Sequence, residues 1–507
     1  DLYGVMHSAH EDIAARLALR KVFGTENVDD IIPDVKADYQ SLIDQARNRK
    51  DLKNPEKYIA RLKDEMNGRI EDIKGLWDRQ LGLHGLPDDP DGYIHWSLQK
   101  LRALNFIKYG TGFLVSSLTD PASVALTAGF HALSMKNYRA MKRAMKGSGS
   151  DEVRRVAVES ERVLHNHRTL KIADVEDIRT MSGIGDRGSM KHNVTSGIDR
   201  AMQGMTDTAS VLSGMIWWNT RLKAMAIMEM QHNLVSTMKQ YDSLFAQASA
   251  GNKKARLEIS NLASIGIGTE QARRISQMMQ KHPPIKNEGV FEIEMSRWLN
   301  EGDIGQKAYT DVEFAMRRVS NRAVMTPGVG ETPLFMSKGY AKTMMQFQTY
   351  GFVVVNRFIV PALQRGISYG DMTAILSMGL AAMLGTVVVG AKDLLRTGEI
   401  KERNATEWAY DTLDRSGYLM YLTVPSSIAF NAANVVFGLK SAPSRYANQN
   451  NIWGILLGPS ANTLMDISGL AGGIAYGDAD AIAKHGSKLL PFQILKQVGD
   501  RVVDFGD

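Results

Sequence analysis

Cysteine is missing from all 507 residues, and its absence excludes disulfides, thiol nucleophiles and thiolate-bound zinc together. Proline occurs only 14 times, and segments that alternate β-branched with polar residues are scarce. Little therefore interrupts helix, and little argues for strand. A strong charge of one sign is also lacking: 61 Lys and Arg face 55 Asp and Glu, a formal net charge of +6. So mild an excess favours contact with nucleic acid or anionic lipid without requiring either. No basic stretch leads into a short apolar core and a small-residue cleavage site after Asp1, so no secretory signal is expected.

What the chain does have is methionine, 27 residues of it. Unbranched and polarizable, Met repacks readily and suits surfaces that meet more than one environment, although such abundance is equally well a quirk of composition. The length is enough for about three ordinary domains. Polarity is uneven along it: 34 of the first hundred residues are charged, against 12 of the 92 in residues 416–507. In the charged front, apolar positions recur at helical spacing, as in Ile13, Leu17 and Leu19, or Ile59, Leu62, Met66, Ile70 and Ile73.

Joints are expected at residues 86–92 (LPDDPDG), 147–150 (GSGS), 183–188, 266–268, Pro283-Pro284 and 326–333 (TPGVGETP). The expected fold class is all-α, an elongated multi-helix assembly of hinged helical subdomains. These are a charged soluble module (1–92), an apolar helical hairpin plus basic helix (93–150) and a helical middle region (151–265). A helical region with a Pro/Gly loop (266–342), apolar helices with a membrane-span candidate (343–400) and an apolar C-terminal helical region (401–507) complete it.

Met372 to Ala391 is a run of 20 residues without a charge, and as a helix it is about 30 Å long, the thickness of a bilayer core. Ala381 and Gly385 form a small-xxx-small pair, with Gly379 and Gly390 nearby, which suits close helix approach. Weaker apolar stretches follow at Ser416 to Leu439 and Tyr446 to Met465, each interrupted by proline. Upstream, Tyr109 to Met135 is apolar except for Asp120 and His131, and Asp120-Pro121 is expected to break it into a hairpin. A large all-α protein also buries apolar helices in its own core. Solubility in one state and membrane insertion in another would satisfy both readings.

Lys136, Arg139, Lys142, Arg143 and Lys146 fall within about 120° of a helix circumference, leaving Ala140, Met141, Ala144 and Met145 on the other side. The stripe suits DNA phosphates or anionic headgroups, or is simply a solvated face. Arg317, Arg318 and Arg322 form a second basic cluster, with no interleaved aromatics for base stacking.

No catalytic, metal or cofactor site is expected. Gly183-Ile-Gly-Asp-Arg-Gly188 spells a dinucleotide fingerprint but follows a helical rather than a strand-like segment. Residues 265–275 (IGIGTEQARRI) look like a helix-hairpin-helix turn, or more simply a glycine turn with Thr269 capping the next helix. His7 and His10 could share a helix face near a terminus, whereas His165 and His167 would point apart. The carboxylates of the front alternate with Lys and Arg in salt-bridge fashion.

The turn IGIGTEQARRI, Lys281-His282, Trp298, the helix DVEFAMRRVSNRAV, the loop at 325–333, residues 344–350 (MMQFQTY), Arg357, Leu363-Gln364 and Asp371 with the apolar helix after it occur in continuous order. This pattern resembles the C-terminal part of the large internal virion (ejection or core) proteins of short-tailed bacteriophages, with a weaker echo at residues 112–121 (GFLVSSLTDP). The resemblance implies a structural protein stored in the capsid core near the portal, ejected ahead of the genome with other core proteins. It further implies reassembly as part of a conduit across the cell envelope, partly in the host inner membrane. Passage of double-stranded DNA would require a homo-oligomeric ring, since one chain of helices does not enclose a duplex. Some relatives carry a peptidoglycan-cleaving transglycosylase domain at the front, whose glutamate motif is not visible here. The alternatives are therefore the rear part of such an enzyme, or a non-viral membrane pore-former.

Overall fold

The protein was analysed as a computed structural model, which describes residues 2–48, 54–81, 83–84, 93–110, 113–147, 151–172, 214–324, 333–337, 339–344, 353–354, 359–416 and 458–489. The expected joints at 86–92 and 183–188, most of those at 147–150 and 326–333, the apolar stretches between residues 417 and 457, and residues 345–350 and Arg357 of the family pattern lie outside them. Within the described residues the fold is all-α, relieved only by one two-stranded sheet. Two compact units divide the chain.

The first unit takes Asp1–Arg102, Leu170–Ala201 and Gly328–Gln346. It begins with α1 (Leu2–Phe23), α2 (Ile32–Asn48) and α3 (Pro55–Gln80). Asn54 opens α3 by accepting a hydrogen bond from the Lys57 N–H, and Pro55 takes the first turn, where its missing donor is not needed. Its core is small: Ile43, Ala46 and Leu62 bury one another, with Ile59 alongside. Trp77 lies tilted against Phe23, ring centroids 5.3 Å apart, and donates its indole N–H to the Glu26 carbonyl. Gly75 leaves room for the Leu334 side chain, and Arg79 and His84 bond to the carbonyls of Pro333 and Leu334. Leu19 and Leu62 are buried as their spacing suggests, but Ile13 and Leu17 stay exposed.

The second unit takes Ala103–Thr169, Met202–Pro327 and Phe347–Asp507. After α4 (Tyr93–Gly110), whose residues up to Arg102 belong to the first unit, and a single turn, α5 (Phe113–Ser116), comes α6 (Pro121–Ala128). The expected break at Asp120-Pro121 is present, with Pro121 in the first turn of α6 and Gly129 ending it at φ 101°. A 3-10 turn leads into α7 (Met135–Met145), then α8 (Asp151–Ile172) and α9 (Met215–Met238). The helices α10 (Tyr241–Ser249), α11 (Lys253–Ser264) and α12 (Thr269–Lys281) follow. Gly268 rather than Thr269 caps α12: it is extended and offers no side chain, while Thr269 is already helical.

Pro283-Pro284 ends the helical path, and β1 (Ile285–Asn287) pairs antiparallel with β2 (Val290–Glu292). The two turn residues, Glu288 and Gly289, both have positive φ (51° and 92°), as a two-residue hairpin matching strand twist requires. A long helix, α13 (Gly302–Ala323), completes the larger core. At its centre α9 is buried along most of its length, its Leu222, Ile227, Met228 and Leu234 meeting α6, α7, α12, α13 and β2. Methionines fill much of this core, among them Met141, Met278, Met295 and Met316.

A second core lies on the other side of α6, where Ala122 and Leu126 meet Val353, Val354, Ala374 and Ala381. Ile359, Met378 and Leu380 pack against it. In the first unit's sequence lies α14 (Gly339–Met344), and in the second unit's lie α15 (Val360–Tyr369), α16 (Thr373–Thr397) and α17 (Ala405–Arg415). The last described elements, α18 (Gly458–Tyr476) and α19 (Ala479–Leu489), form a hairpin in which Gly469 lies beneath the His485 ring.

An ion pair is enclosed by this unit. Lys223 of α9 and Glu161 of α8 form a 2.7 Å ion pair with side chains 0% and 1% exposed, and Asn219 donates to the same carboxylate. Removing one charge strands the other in a dry core, so Lys223→Met should cost about 3–5 kcal/mol in urea unfolding. The double variant Lys223→Met/Glu161→Leu should recover most of that loss, and failure to recover would mean that the pair is not the source.

Candidate functional site

The apolar run forms a helix with the expected start. In α16, Thr373–Leu395 is long and apolar enough to cross a membrane, yet only 33% of its most apolar window is buried. Buried positions Ala374, Ser377, Ala381, Gly385 and Val388 recur at helical spacing and face α6 and α17. On the opposite side Ile375, Leu376, Met383 and Val387 are exposed, within about 120° of the helix circumference. Leu363 and Ile367 of α15 are exposed as well, Ile367 at 85%.

The small residues of this helix have distinct roles. Ala381 belongs to the α6 core, and a Cβ on Gly385 would meet the Thr412 carbonyl at 2.5 Å, so both serve packing within the chain. Gly390 lies near Ile400, while Gly379 has nothing within 4 Å and sits in the exposed stripe. At the C-terminal end Arg403 grips Asp393 through both nitrogens and Asp411 at 2.7 Å. Lys392 turns back to Ser116 at 2.8 Å.

The basic stripe sits on α7, with Asn137, Ala140, Met141 and Ala144 buried beneath it. Lys136, Arg139, Lys142 and Lys146 are exposed. Arg143 instead leans into the hairpin, pairing with Glu288 and with the buried Glu292, each at 3.1 Å. The second cluster does not converge. Arg317 is held by Glu159 (2.8 Å) and Glu313 (2.7 Å), tying α13 to α8. Arg318 is exposed beside the Gly266 turn, and Arg322 is half-buried.

Three further cations, distant in sequence, border α7. Lys239 and Lys286 stand over the Phe291 ring at 4.2 and 5.4 Å, and Lys136 lies against Gly289 in the same hairpin. On the other flank Arg221 covers the exposed Trp217 ring at 3.8 Å and interacts with Tyr138. No spacing rule could have grouped these residues, because only the fold of α9 and the hairpin brings them to α7.

A titratable cluster links the same elements. His131 pairs with Glu229 at 2.7 Å and stacks on His232, which in turn stacks on Phe291. The Phe291 N–H donates to His232 Nδ1 at 3.2 Å, so the neutral ring carries its proton on Nε2. Burial pushes the His232 pKa down, helped by His131 and Lys286. Burial pushes Glu229 up, against the pull of His131. Among the described residues no group of three such side chains is arranged to hold a metal ion.

No family model, curated protein or solved structure matches the chain.

Burial of the His232 ring sets the sign of the pH effect. As pH falls below the ordinary histidine value of 6.5, the unfolded chain takes up a proton that folded His232 resists, so this residue removes stability. Glu229 acts oppositely, because its buried charge is relieved as pH falls through its raised value. In His232→Asn the amide oxygen can replace Nδ1 as acceptor without titrating. The drop in Tm between about pH 7.5 and about pH 6 should therefore be smaller in the variant. An equal drop would remove His232 from the account.

Proposed function

We propose that this protein is a structural internal virion (ejection) protein of a short-tailed bacteriophage. In this reading it is stored in the capsid core with other core proteins and the portal. After ejection it forms part of a ring-shaped, trans-envelope conduit for double-stranded DNA, anchored in the host inner membrane. The carrying observation is α16: a span-length apolar helix that keeps one face on α6 and α17 while displaying Ile375, Leu376, Met383 and Val387 to solvent. A contiguous exposed apolar face marks a site of membrane or protein contact.

The remaining features fit the same role. Charges cluster at the C-terminal end of α16, where Asp393 is bound by Arg403, so the helix centre can meet lipid while its end stays wet. The sequence order from Ile265 onward that resembles the ejection proteins closes with Asp371 and this helix. A ring of copies joined head to tail would give the enclosed path that duplex DNA needs.

Purified protein should float with lipid vesicles and release an entrapped dye. Leu376→Glu/Val387→Lys places charges on the exposed face, where the soluble fold is undisturbed. A charge at the centre of a span costs about 2.5–3.5 kcal/mol, so the variant should keep its helical circular dichroism while vesicle binding falls by at least about tenfold. Unchanged binding would exclude α16 as the membrane element. Mass spectrometry of purified phage particles should find the chain inside, and its absence would end the virion reading.

A further inference from the structure

The exposed faces of the second unit divide by chemistry. The α16 face holds no ammonium or guanidinium, whereas the α7 face is lined with them. On α7, Lys136, Arg139, Lys142 and Lys146 project from a surface along which the helix rises about 15 Å. The fold extends this row in two directions. Lys239 and Lys286 meet over the Phe291 ring on the hairpin side, and Arg221 lies over Trp217 on the other.

None of these seven cations forms an ion pair among the described residues. The two acids of the hairpin are engaged by Arg143, which pairs with both Glu288 and the buried Glu292. Arg143 with these two carboxylates carries one net negative charge, set against seven cations, so the face stays cationic. Two ammonium groups sharing one phenyl ring repel each other, and an anion placed between them relieves that repulsion. The cations are spread over three elements and more than one helix width, as a rod of closely spaced negative charge would require. Duplex DNA carries one charge per about 1.7 Å of its axis.

We propose that the surface formed by α7, Arg221 and Lys239 at the two ends of α9, and the β1–β2 hairpin binds the phosphodiester backbone of duplex DNA without reading its sequence. The choice of a duplex rests on the conduit reading above; the location of the surface does not. Binding proceeds by charge neutralisation, in which each lysine that meets a phosphate releases a condensed counterion. Affinity consequently falls with salt in proportion to the number of contacts. Lys136, Lys142 and Lys286 are exposed and leave the cores untouched when truncated.

The test is fluorescence anisotropy of a labelled duplex of about 30 base pairs with the full chain, titrated at several salt concentrations between about 50 and 200 mM. In Lys136→Ala/Lys142→Ala/Lys286→Ala the slope of log affinity against log salt should fall by about 2–3. Lys253→Ala/Lys254→Ala, which removes exposed charge from α11 instead, should leave the slope unchanged. Two duplexes of unrelated sequence should bind alike.

Four results decide the matter. A slope that falls in the α7–hairpin variant alone supports the proposal. An unchanged slope in that variant, with the wild type still binding DNA, overturns the proposed surface and leaves the conduit reading standing. Failure of the wild-type chain to bind duplex at the lowest salt overturns both. Binding to phosphatidylglycerol vesicles, lost in the triple variant and accompanied by no DNA binding, would assign the surface to lipid headgroups and overturn the proposal.

Discussion

The second unit depends on how closely other helices can approach α6. This helix is two turns long, opened by Pro121 and closed by Gly129, and Ala122, Ser123, Val124 and Ala125 are each fully buried. A helix enclosed on both sides must be apolar or small all round, and these side chains allow neighbouring backbones to come close. On one side α6 meets α9 and α13; on the other it receives α16. The two hydrophobic cores therefore share one wall, and α16 is held on the face where Ala381 and Ala374 meet Ala122 and Leu126.

That arrangement explains why α16 is half enclosed. Ala374, Ser377, Ala381 and Gly385 face inward, because Gly385 must admit the Thr412 carbonyl and Ala381 must admit α6. Ile375, Leu376, Met383 and Val387 are left outside. Burying an apolar side chain is worth about 1.5–3 kcal/mol, so several such residues in water amount to a standing drive toward lipid or another apolar surface. The folded arrangement and the membrane reading are thus linked by the same division of side-chain size around one helix.

Charge is sorted by pairing rather than by count. The sequence contains two basic clusters, yet Arg317 and Arg143 are consumed by ties between α13 and α8 and between α7 and the hairpin. Inside the larger core, Lys223 is matched to Glu161, since an unmatched charge there would be far too costly. What remains on the α7 face is a smaller cationic set than the sequence suggests, but one widened by Lys239, Lys286 and Arg221.

The all-α class, the break at Pro121, the turn at Gly266 and the start of α16 were legible in the chain because each depends on neighbours within a few residues. Helix propensity, a missing proline donor and a positive φ are local properties. The hairpin at residues 285–292 was not read, because its strands are only three residues each and its turn is Glu-Gly. The exposure of Ile13 and Leu17, the burial of α9 and the pairing of Arg143 and Arg317 were equally hidden. Periodicity shows that a helix has an apolar face, but not which helix will cover it. Sequence alone determined where helices run and which segment is apolar enough for a membrane. Tertiary structure decided which face of that segment is covered and which cations stay unpaired, because burial and ion pairing depend on contacts between residues far apart in the chain, such as Arg143 with Glu292 and Arg317 with Glu159.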